Sequence, residues 1–513
     1  MKADFFGCKL KKILLFFLIL IAGLSLRLAD YQKDPFHISA SKSAFVDPGI
    51  YNFNAKVKIF SGEFAFEEYN YHLLFPLNSW LSYACFKICG IDYFKIILLF
   101  GFLGLLYCLV YSASFNNERA SLFILFITAF SFIDISFNRS ALIENYLLLI
   151  SVLSLFFFTL ENKYASFFSG IMIIAGVAVK TSFLIIAAGF SVYAVFDFFR
   201  LKKKYVYFFS GIFFGLLIAA LLLWFHREEY YELKNSVIIR HVFSDHSGSS
   251  ILNFFNILIF FKSNLFARII AFYPFILGGI YKIVLSNEKK NSVYSITILI
   301  FLFNIIFTGL SPDYSPLRYR IFFIFCIPIF ISAFFFIKEY RTNNLIKFIV
   351  IFLFFYPLSW YLIEKKSGLN SGAAIIFISL ILSAVSYFSL NRFKIPEISI
   401  KLFIVIFFVF NTGQYLLVYG KTGYDMKNNF EKINKIIPPA SKVIGWWAPQ
   451  ICFNRRDILV IPGKPYKEYI SKYSPDFIID IPDRDNAFTA DYYLFEKLNF
   501  SAIKVKISVY KKK

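Results

Sequence analysis

The chain has 513 residues, of which 58% are hydrophobic, 21% are aromatic and only 17% are charged. Soluble domains carry about 25% charged residues, so this composition excludes a soluble enzyme, a disordered tail and a nucleic-acid regulator. The net charge is +22, but much of it flanks apolar runs, where anionic lipids and the positive-inside rule explain it. The sequence therefore predicts a polytopic integral membrane protein with no nucleic-acid partner.

Apolar segments of spanning length recur along the chain, since a spanning helix needs about 20 apolar residues. Lys and Arg are concentrated at the N-terminus, up to Lys12, and most densely at 200–204, and from there they recur at every second loop. This pattern predicts a cytoplasmic N-terminus, an external C-terminus and about thirteen spans. The predicted spans are 11–29, 93–114, 119–137, 141–160, 164–180, 181–199, 204–225, 265–285, 292–310, 319–337, 345–363, 371–390 and 398–419.

Residues 71–89 form a further and weaker candidate span. Counting alternate loops places residues 30–70 and residue 92 on the same outer side, so this segment cannot cross the membrane completely. It is also the most polar candidate. We expect a juxtamembrane or re-entrant helix against the outer leaflet. The alternative is that one of the Phe-rich spans is misjudged.

The predicted organisation is a transmembrane module over 1–419 and an external domain over 420–513. The module has two long external loops, 30–92 and 226–250. The external domain alternates amphipathic and short apolar stretches, which predicts a small α/β fold. We expect helices at Tyr424–Ile436, Pro465–Lys472 and Ala490–Leu498, and strands at Lys442–Gly445, Ile458–Ile461, Phe477–Ile481 and Ala502–Val509.

Asp47 is the first candidate for chemistry. Apolar residues recur after it at helical spacing, at Ile50, Phe53, Val57 and Phe60. The pattern predicts an amphipathic helix at the membrane interface, with Asp47 as N-cap and Pro48 at the first helical position. The capping role alone accounts for the residue. The functional alternative is a carboxylate at the membrane boundary that accepts a proton from a substrate.

The second candidate is the acidic stretch that contains Glu68 and ends at His72. Its side chains are able to bind a metal, hold an acceptor or only solvate a loop. A divalent metal site built from Glu68 or His72 together with His226 is one alternative, although no pair has metal-helix spacing. No cofactor is certain from the sequence.

The third candidate is a set of charged residues at the outer ends of spans. Arg139 and Glu144 open an otherwise apolar segment, where they are costly if they face lipid. They would pair with each other or with Asp134, or they would line a pocket. Lys180 and Arg318 lie at comparable boundaries. Such cations suit a lipid phosphate, although each alone is indistinguishable from a snorkelling side chain.

The order of these residues resembles the large membrane glycosyltransferases of the GT-C fold, in the branch of protein-mannosyltransferase-like and aminoarabinose-transferase-like enzymes, glycosyltransferase family 39. The resemblance covers the first half of the chain in motif order and the later spans in outline. The residues that carry it are Asp47, Gly49, Tyr51 and Ala55, then Gly62-Glu63, Glu68-Tyr69-Asn70 and Pro76-Leu77, then Arg139 and Glu144, Lys180-Thr181, Arg318-Tyr319 and Pro328.

The resemblance implies transfer of a sugar from a polyprenyl-phosphate carrier at the outer face of a bacterial inner or plasma membrane. In it, Asp47 matches the catalytic base and Glu68 the second acidic position. Arg139 and Glu144 match a motif near the acceptor or carrier pocket, and the acceptor would be a protein, a lipid or an envelope glycan. External cations, with Lys180 and Arg318 as candidates, would stabilise the departing phosphate.

Several residues depart from the family pattern. Pro48 follows Asp47 where the family has an acidic pair, Lys95 stands where many members have Arg, and no Lys accompanies Glu68. These departures leave the substrate open.

Two other classes remain as alternatives. An O-antigen-type polymerase or ligase would rely on Arg and His in a large external loop, and 226–250 contains Arg227, Arg240, His241 and His246. A lipid-linked sugar transporter would show internal repeats and midplane charges, which we do not find. The long first loop with Asp47 and the external domain favour the transferase.

Overall fold

The computed structural model describes residues 2–36, 43–64, 76–160, 162–198, 202–225, 271–286, 292–309, 321–338, 400–462, 467–481 and 491–513, with a few isolated residues between them. Helices dominate up to residue 436, and a mixed sheet follows. The helices are α1 (Lys2–Leu28), α2 (Ser43–Ser61), α3 (Pro76–Cys89), α4 (Tyr93–Ala113), α5 (Glu118–Phe130), α6 (Phe132–Asn138), α7 (Glu144–Thr159), α8 (Lys163–Val179), α9 (Leu184–Asp197), α10 (Lys202–Phe225), α11 (Tyr273–Leu285), α12 (Ser292–Gly309), α13 (Ile321–Phe336), α14 (Ile400–Tyr419), α15 (Asp425–Ile436), α16 (Ala448–Ile451) and α17 (Lys467–Tyr473).

The apolar helices make this an integral membrane protein. Among the described residues, α4, α14 and the stretch Lys203–Leu222 of α10 are long and apolar enough to cross a bilayer. The pair α5 and α6 would form a fourth span, bent by 59°. Further apolar helices are shorter. The predicted spans 345–363 and 371–390 lie almost entirely outside the described residues, so the number of spans stays a prediction.

Loops that the charge pattern assigns to one side of the membrane meet in the structure. Near one end of the bundle, Lys12 Nζ lies 2.7 Å from Glu118 Oε2, which joins α1 to the start of α5. At the other end, Lys33 Nζ donates to the carbonyl of Tyr419 at 3.3 Å, which joins the segment after α1 to the end of α14. These contacts agree with the alternation of loops that the sequence predicts.

Arg27, which was not among the predicted site residues, supplies hydrogen bonds to the backbone at the break between α5 and α6. Its guanidinium donates to the carbonyls of Thr128 at 3.0 Å and Ala129 at 2.8 Å. A third bond runs to Asn138 Oδ1 at 2.7 Å. Carbonyls at the end of a helix have no intrahelical partner, so this fully buried Arg takes the place of the bonds lost at the bend.

Of the predicted juxtamembrane segment 71–89, the structure describes the helix α3, Pro76–Cys89. Residues 71–75 lie outside the described residues, so the expectation that the segment does not cross the membrane stays a prediction. Asn78 Nδ2 donates to the carbonyl of Tyr51 at 3.0 Å and so fastens α3 to α2. This contact places α3 beside the helix that carries Asp47.

The C-terminal domain is a five-stranded sheet in the order β2-β1-β3-β5-β4, which confirms the predicted α/β character. The strand β1 pairs in parallel with β2 and β3, and β5 pairs antiparallel with β3 and β4. The helix α15 packs on β4. The strands are β1 (Lys442–Gly445), β2 (Leu459–Pro462), β3 (Phe477–Asp480), β4 (Tyr492–Phe500) and β5 (Val505–Lys512).

The predicted helix at Ala490–Leu498 is wrong, because Tyr492–Phe500 is the edge strand β4. It pairs with β5 along most of its length, with Leu498 opposite Ile507 and Phe500 opposite Val505. Buried Leu498 and Phe500 alternate with exposed Asn499, which is the period of a strand. The long-range pairing with β5 overrides the local helical preference of this stretch.

Candidate active site

The helix α2, which carries Asp47, begins at Ser43. The prediction that Asp47 is the N-cap is therefore wrong, and Pro48 lies inside the helix. Proline has no N–H and removes one backbone bond from the turn before it. Asn52 donates from Nδ2 to the carbonyl of Pro48 at 2.7 Å. Asp47 is half-buried on the first turns of a formed helix.

The polar side of α2 lies against protein. Asn52, Asn54 and Lys56 are 2%, 4% and 7% exposed, whereas Phe60 is 46% exposed. These polar residues are therefore held against protein, and the position of the helix at the membrane interface stays a prediction. The helix packs on α3 and on the C-terminal domain, and both surfaces hold it in place.

Glu144 and Lys180 form a buried ion pair beside α2. Lys180 Nζ lies 2.7 Å from Glu144 Oε1, and both side chains are almost completely buried. Glu144 opens α7 and Lys180 follows the last residue of α8. Within the described part of the chain, Glu144 Oε2 is buried without a hydrogen-bond partner. This oxygen is therefore able to accept a further hydrogen bond.

Tyr51 connects this ion pair to the helix of Asp47. Lys180 Nζ lies 5.8 Å from the centroid of the Tyr51 ring. Tyr51 follows Asp47 by four residues, so the two share one face of α2. The structure thus brings Glu144 and Lys180 together and places them near Tyr51, one helical turn after Asp47.

Arg139 does not pair with Glu144, and its described contacts lie at the end of α1. Its guanidinium donates to the carbonyls of Arg27, Ala29 and Asp30 at 3.2, 2.5 and 3.1 Å. The group also lies 4.7 Å above the ring of Phe36. Cations at the carbonyl end of a helix are favourable. These contacts give Arg139 a structural role, and its part in a carrier pocket stays a prediction.

Four predicted site residues, Glu68, His72, His226 and Arg318, lie outside the described residues. Among the residues that are described, no group of three or more His, Cys, Asp or Glu side chains is placed to hold a metal ion. The proposed metal site and the role of Arg318 at the donor phosphate therefore stay predictions.

Asp34 joins the end of α1 to the C-terminal domain, and sequence reasoning missed it. Its carboxylate accepts from the backbone N–H of Met426 at 2.8 Å and of Asp425 at 3.1 Å, at the start of α15. Burial raises the pKa of Asp34 to about 6, against the lowering effect of these bonds. The partners are almost 400 residues away in sequence, so no local pattern could have revealed the contact.

No protein-family model and no curated protein sequence matches the chain. Solved structures do match. The chain superposes on ArnT from Cupriavidus metallidurans, solved with bound undecaprenyl phosphate, with a TM-score of 0.59, 12% identity and coverage of 98% of both chains. The oligosaccharyltransferase AglB from Archaeoglobus fulgidus, solved with an inhibitory peptide and a dolichol-phosphate, gives a TM-score of 0.47 at 12% identity, over 92% of this chain and 69% of AglB.

The likeness to ArnT covers nearly the whole of both chains, from the helical bundle to the C-terminal domain. At this level of identity the likeness shows the fold alone, which is the GT-C fold. The resemblance seen in the order of sequence motifs is therefore confirmed at the level of the fold.

Proposed function

We propose that the protein is an inverting glycosyltransferase that uses a polyprenyl-phosphate-linked sugar donor at the outer face of the membrane. The observation that carries this proposal is the position of Asp47 one helical turn before Tyr51, whose ring lies near Lys180 of the buried Glu144–Lys180 pair, in a chain with the fold of ArnT. The ArnT structure contains undecaprenyl phosphate, which supports a lipid-phosphate carrier for this chain as well.

The proposed reaction is one displacement at the anomeric carbon of the sugar. Asp47 takes the proton from an acceptor hydroxyl or amine as the new bond to the anomeric carbon forms. The bond from that carbon to the phosphate oxygen breaks on the opposite face, and polyprenyl phosphate leaves. Glu144, oriented by Lys180, is placed to hold the acceptor through its second oxygen. Positioning both substrates contributes much of the rate enhancement.

We infer the finer features from the sequence. The chain would belong to the family 39 branch, with about thirteen spans, a cytoplasmic N-terminus and a periplasmic or extracellular C-terminal domain. The host membrane would be a bacterial inner or plasma membrane. Arg318 and Lys180 would stabilise the leaving phosphate. The acceptor would be a protein, a glycolipid or a polysaccharide.

The decisive test compares the wild type with Asp47→Asn. Each purified protein is mixed with a panel of polyprenyl-phosphate sugars and a membrane extract that supplies acceptors, and release of polyprenyl phosphate is followed by mass spectrometry. We expect release to fall by about 100-fold or more, the usual contribution of a general base. The thermal midpoint should stay close to that of the wild type, because the amide has nearly the same shape as the carboxylate.

Glu431→Gln is the matched control, because Glu431 is an exposed carboxylate on α15 and is not one of the predicted site residues. It should release the carrier as the wild type does. Full activity in Asp47→Asn would remove Asp47 as the base. If folded wild type releases no carrier from any donor, the polymerase or ligase and the transporter become the better alternatives.

A further inference from the structure

One segment of the C-terminal domain touches three helices of the membrane module. We call residues 447–454 the docking segment. The ring of Phe453 packs edge-on against Phe86 of α3 at 5.9 Å and Tyr93 of α4 at 5.5 Å. Asn454 Oδ1 accepts a bond from the N–H of Tyr93 at 3.0 Å. The docking segment is therefore fastened to α3 and α4 independently of α2.

The same segment meets α2 close to Asp47. At Gly49, two residues after Asp47, a Cβ atom would overlap the backbone of Pro449 and Gln450. Only glycine permits this approach of helix to backbone. One side of the Asp47 turn is therefore in contact with the docking segment.

Lys56 forms the second contact between α2 and the docking segment. Its ammonium donates to the carbonyl of Cys452 at 2.7 Å, and the side chain is almost fully buried. Among the described residues, the carbonyl of Cys452 is the one hydrogen-bond partner of this buried cation. A cation held in this way is a poor source of stability, because an apolar side chain of similar size avoids the desolvation cost. Stability alone does not account for a Lys at this position.

We propose that the C-terminal domain positions Asp47 for transfer, with Lys56 as the positioning residue that fixes α2 to the docking segment. This inference rests on the proposed function. Contacts at Gly49 and Lys56 lie on either side of Tyr51, the residue beside the Glu144–Lys180 pair. Together these contacts fix the position of α2 along its axis and its rotation about that axis. They therefore fix the position of the Asp47 carboxylate relative to that pair.

The test uses the full-length protein with Lys56→Met, which keeps the apolar stem and removes the ammonium. Lys58→Met is the control, because Lys58 lies on the same helix but faces the aromatic rings of Phe64, Trp80 and Tyr83. We measure kcat, KM for the donor, the thermal midpoint and the hydrogen exchange of peptides covering α2, the docking segment and α7. We expect Lys56→Met to lower kcat by about 10- to 100-fold, since small displacements of a catalytic group have effects of this size.

The expected pattern is specific. In Lys56→Met, KM for the donor should change by less than about twofold. Hydrogen exchange should become faster in α2, whereas the exchange of α7 and the thermal midpoint of the protein should stay unchanged. An unchanged kcat overturns the proposal. So does a loss of kcat accompanied by faster exchange throughout the protein, which would mark a merely structural role. If the wild type transfers no sugar, the proposed function fails, while the exchange of α2 still decides whether Lys56 fixes that helix.

Discussion

At the scale of residues, the buried Glu144–Lys180 pair shows how a charged side chain is kept inside an apolar bundle. Each partner compensates the desolvation of the other at 2.7 Å. Such a pair adds little stability compared with apolar residues of the same volume, but removal of one partner leaves an isolated buried charge. The two partners are therefore energetically coupled.

This coupling predicts the outcome of a double-mutant cycle. Glu144→Gln and Lys180→Met should each lower the free energy of unfolding by about 3–5 kcal/mol, and the double variant should lose much less than their sum. Reversible unfolding in mixed micelles measures all four proteins. Additive losses would mean that the two residues do not act as a pair.

The sequence predicted the two members of this pair but not their partnership. Both residues stood out because a charge at the end of an apolar run is costly. The pairing joins α7 to the end of α8 across 36 residues, whereas the sequence suggested Arg139, five residues from Glu144. Arg139 instead meets the carbonyls of Arg27, Ala29 and Asp30, which need donors because they end a helix.

At the scale of elements, hydrophobic runs predicted the bounds of several helices correctly. The wrong predictions concern elements whose structure local sequence does not determine. The bounds of α4, α7 and α14 agree with the predicted spans to within a few residues. The start of α2 and the nature of β4 were wrong. The sequence pattern around Pro48 suggested a helix start, but the helix had already begun at Ser43. The strand β4 depends on its pairing with β5, which local sequence does not encode.

The raised pKa of Asp34, which binds the start of α15, predicts how the free energy of unfolding depends on pH. The pKa of Asp34 is raised from 3.8 to about 6 in the folded protein. Between these values the folded state binds more protons than the unfolded state, so the contribution of Asp34 to stability falls as pH rises from about 4 to about 6. Asp34→Asn, which keeps an oxygen acceptor, should remove this component.

Thermal midpoints of the wild type and Asp34→Asn, measured from pH 4 to pH 7, check this expectation. The difference between the two proteins should change in the lower part of the range and become constant above it. Asp425→Asn is a useful comparison, because Asp425 adjoins Asp34 and its charge contributes to the raised pKa. A difference that is independent of pH would show that Asp34 titrates in the same way in the folded and unfolded states.

At the scale of the whole molecule, each end of the helical bundle has its own set of contacts between loops. The segment after α1, the start of α7, the end of α8 and the end of α14 are linked at one end by Asp34, Arg139, Lys33 and the Glu144–Lys180 pair. The start of α1 and the start of α5 are linked by the Lys12–Glu118 pair. The positive-inside rule assigns the second end to the cytoplasm.

This arrangement predicts which introduced cysteines react with a membrane-impermeant thiol reagent in intact cells. Ser61→Cys, at the exposed end of α2, and Lys421→Cys, exposed between α14 and α15, should both be labelled from outside. Asn116→Cys, exposed between α4 and α5, should be labelled only after the membrane is permeabilised. Wild-type protein measures the background, since its described cysteines are free but buried or half-buried.

Opposite labelling of Ser61→Cys and Lys421→Cys would contradict the fold itself, because the docking segment joins the domain after Lys421 to α2. If Asn116→Cys is labelled from outside, and Ser61→Cys and Lys421→Cys only after permeabilisation, the fold stands but its orientation in the membrane is inverted. The candidate active site would then lie at the cytoplasmic face.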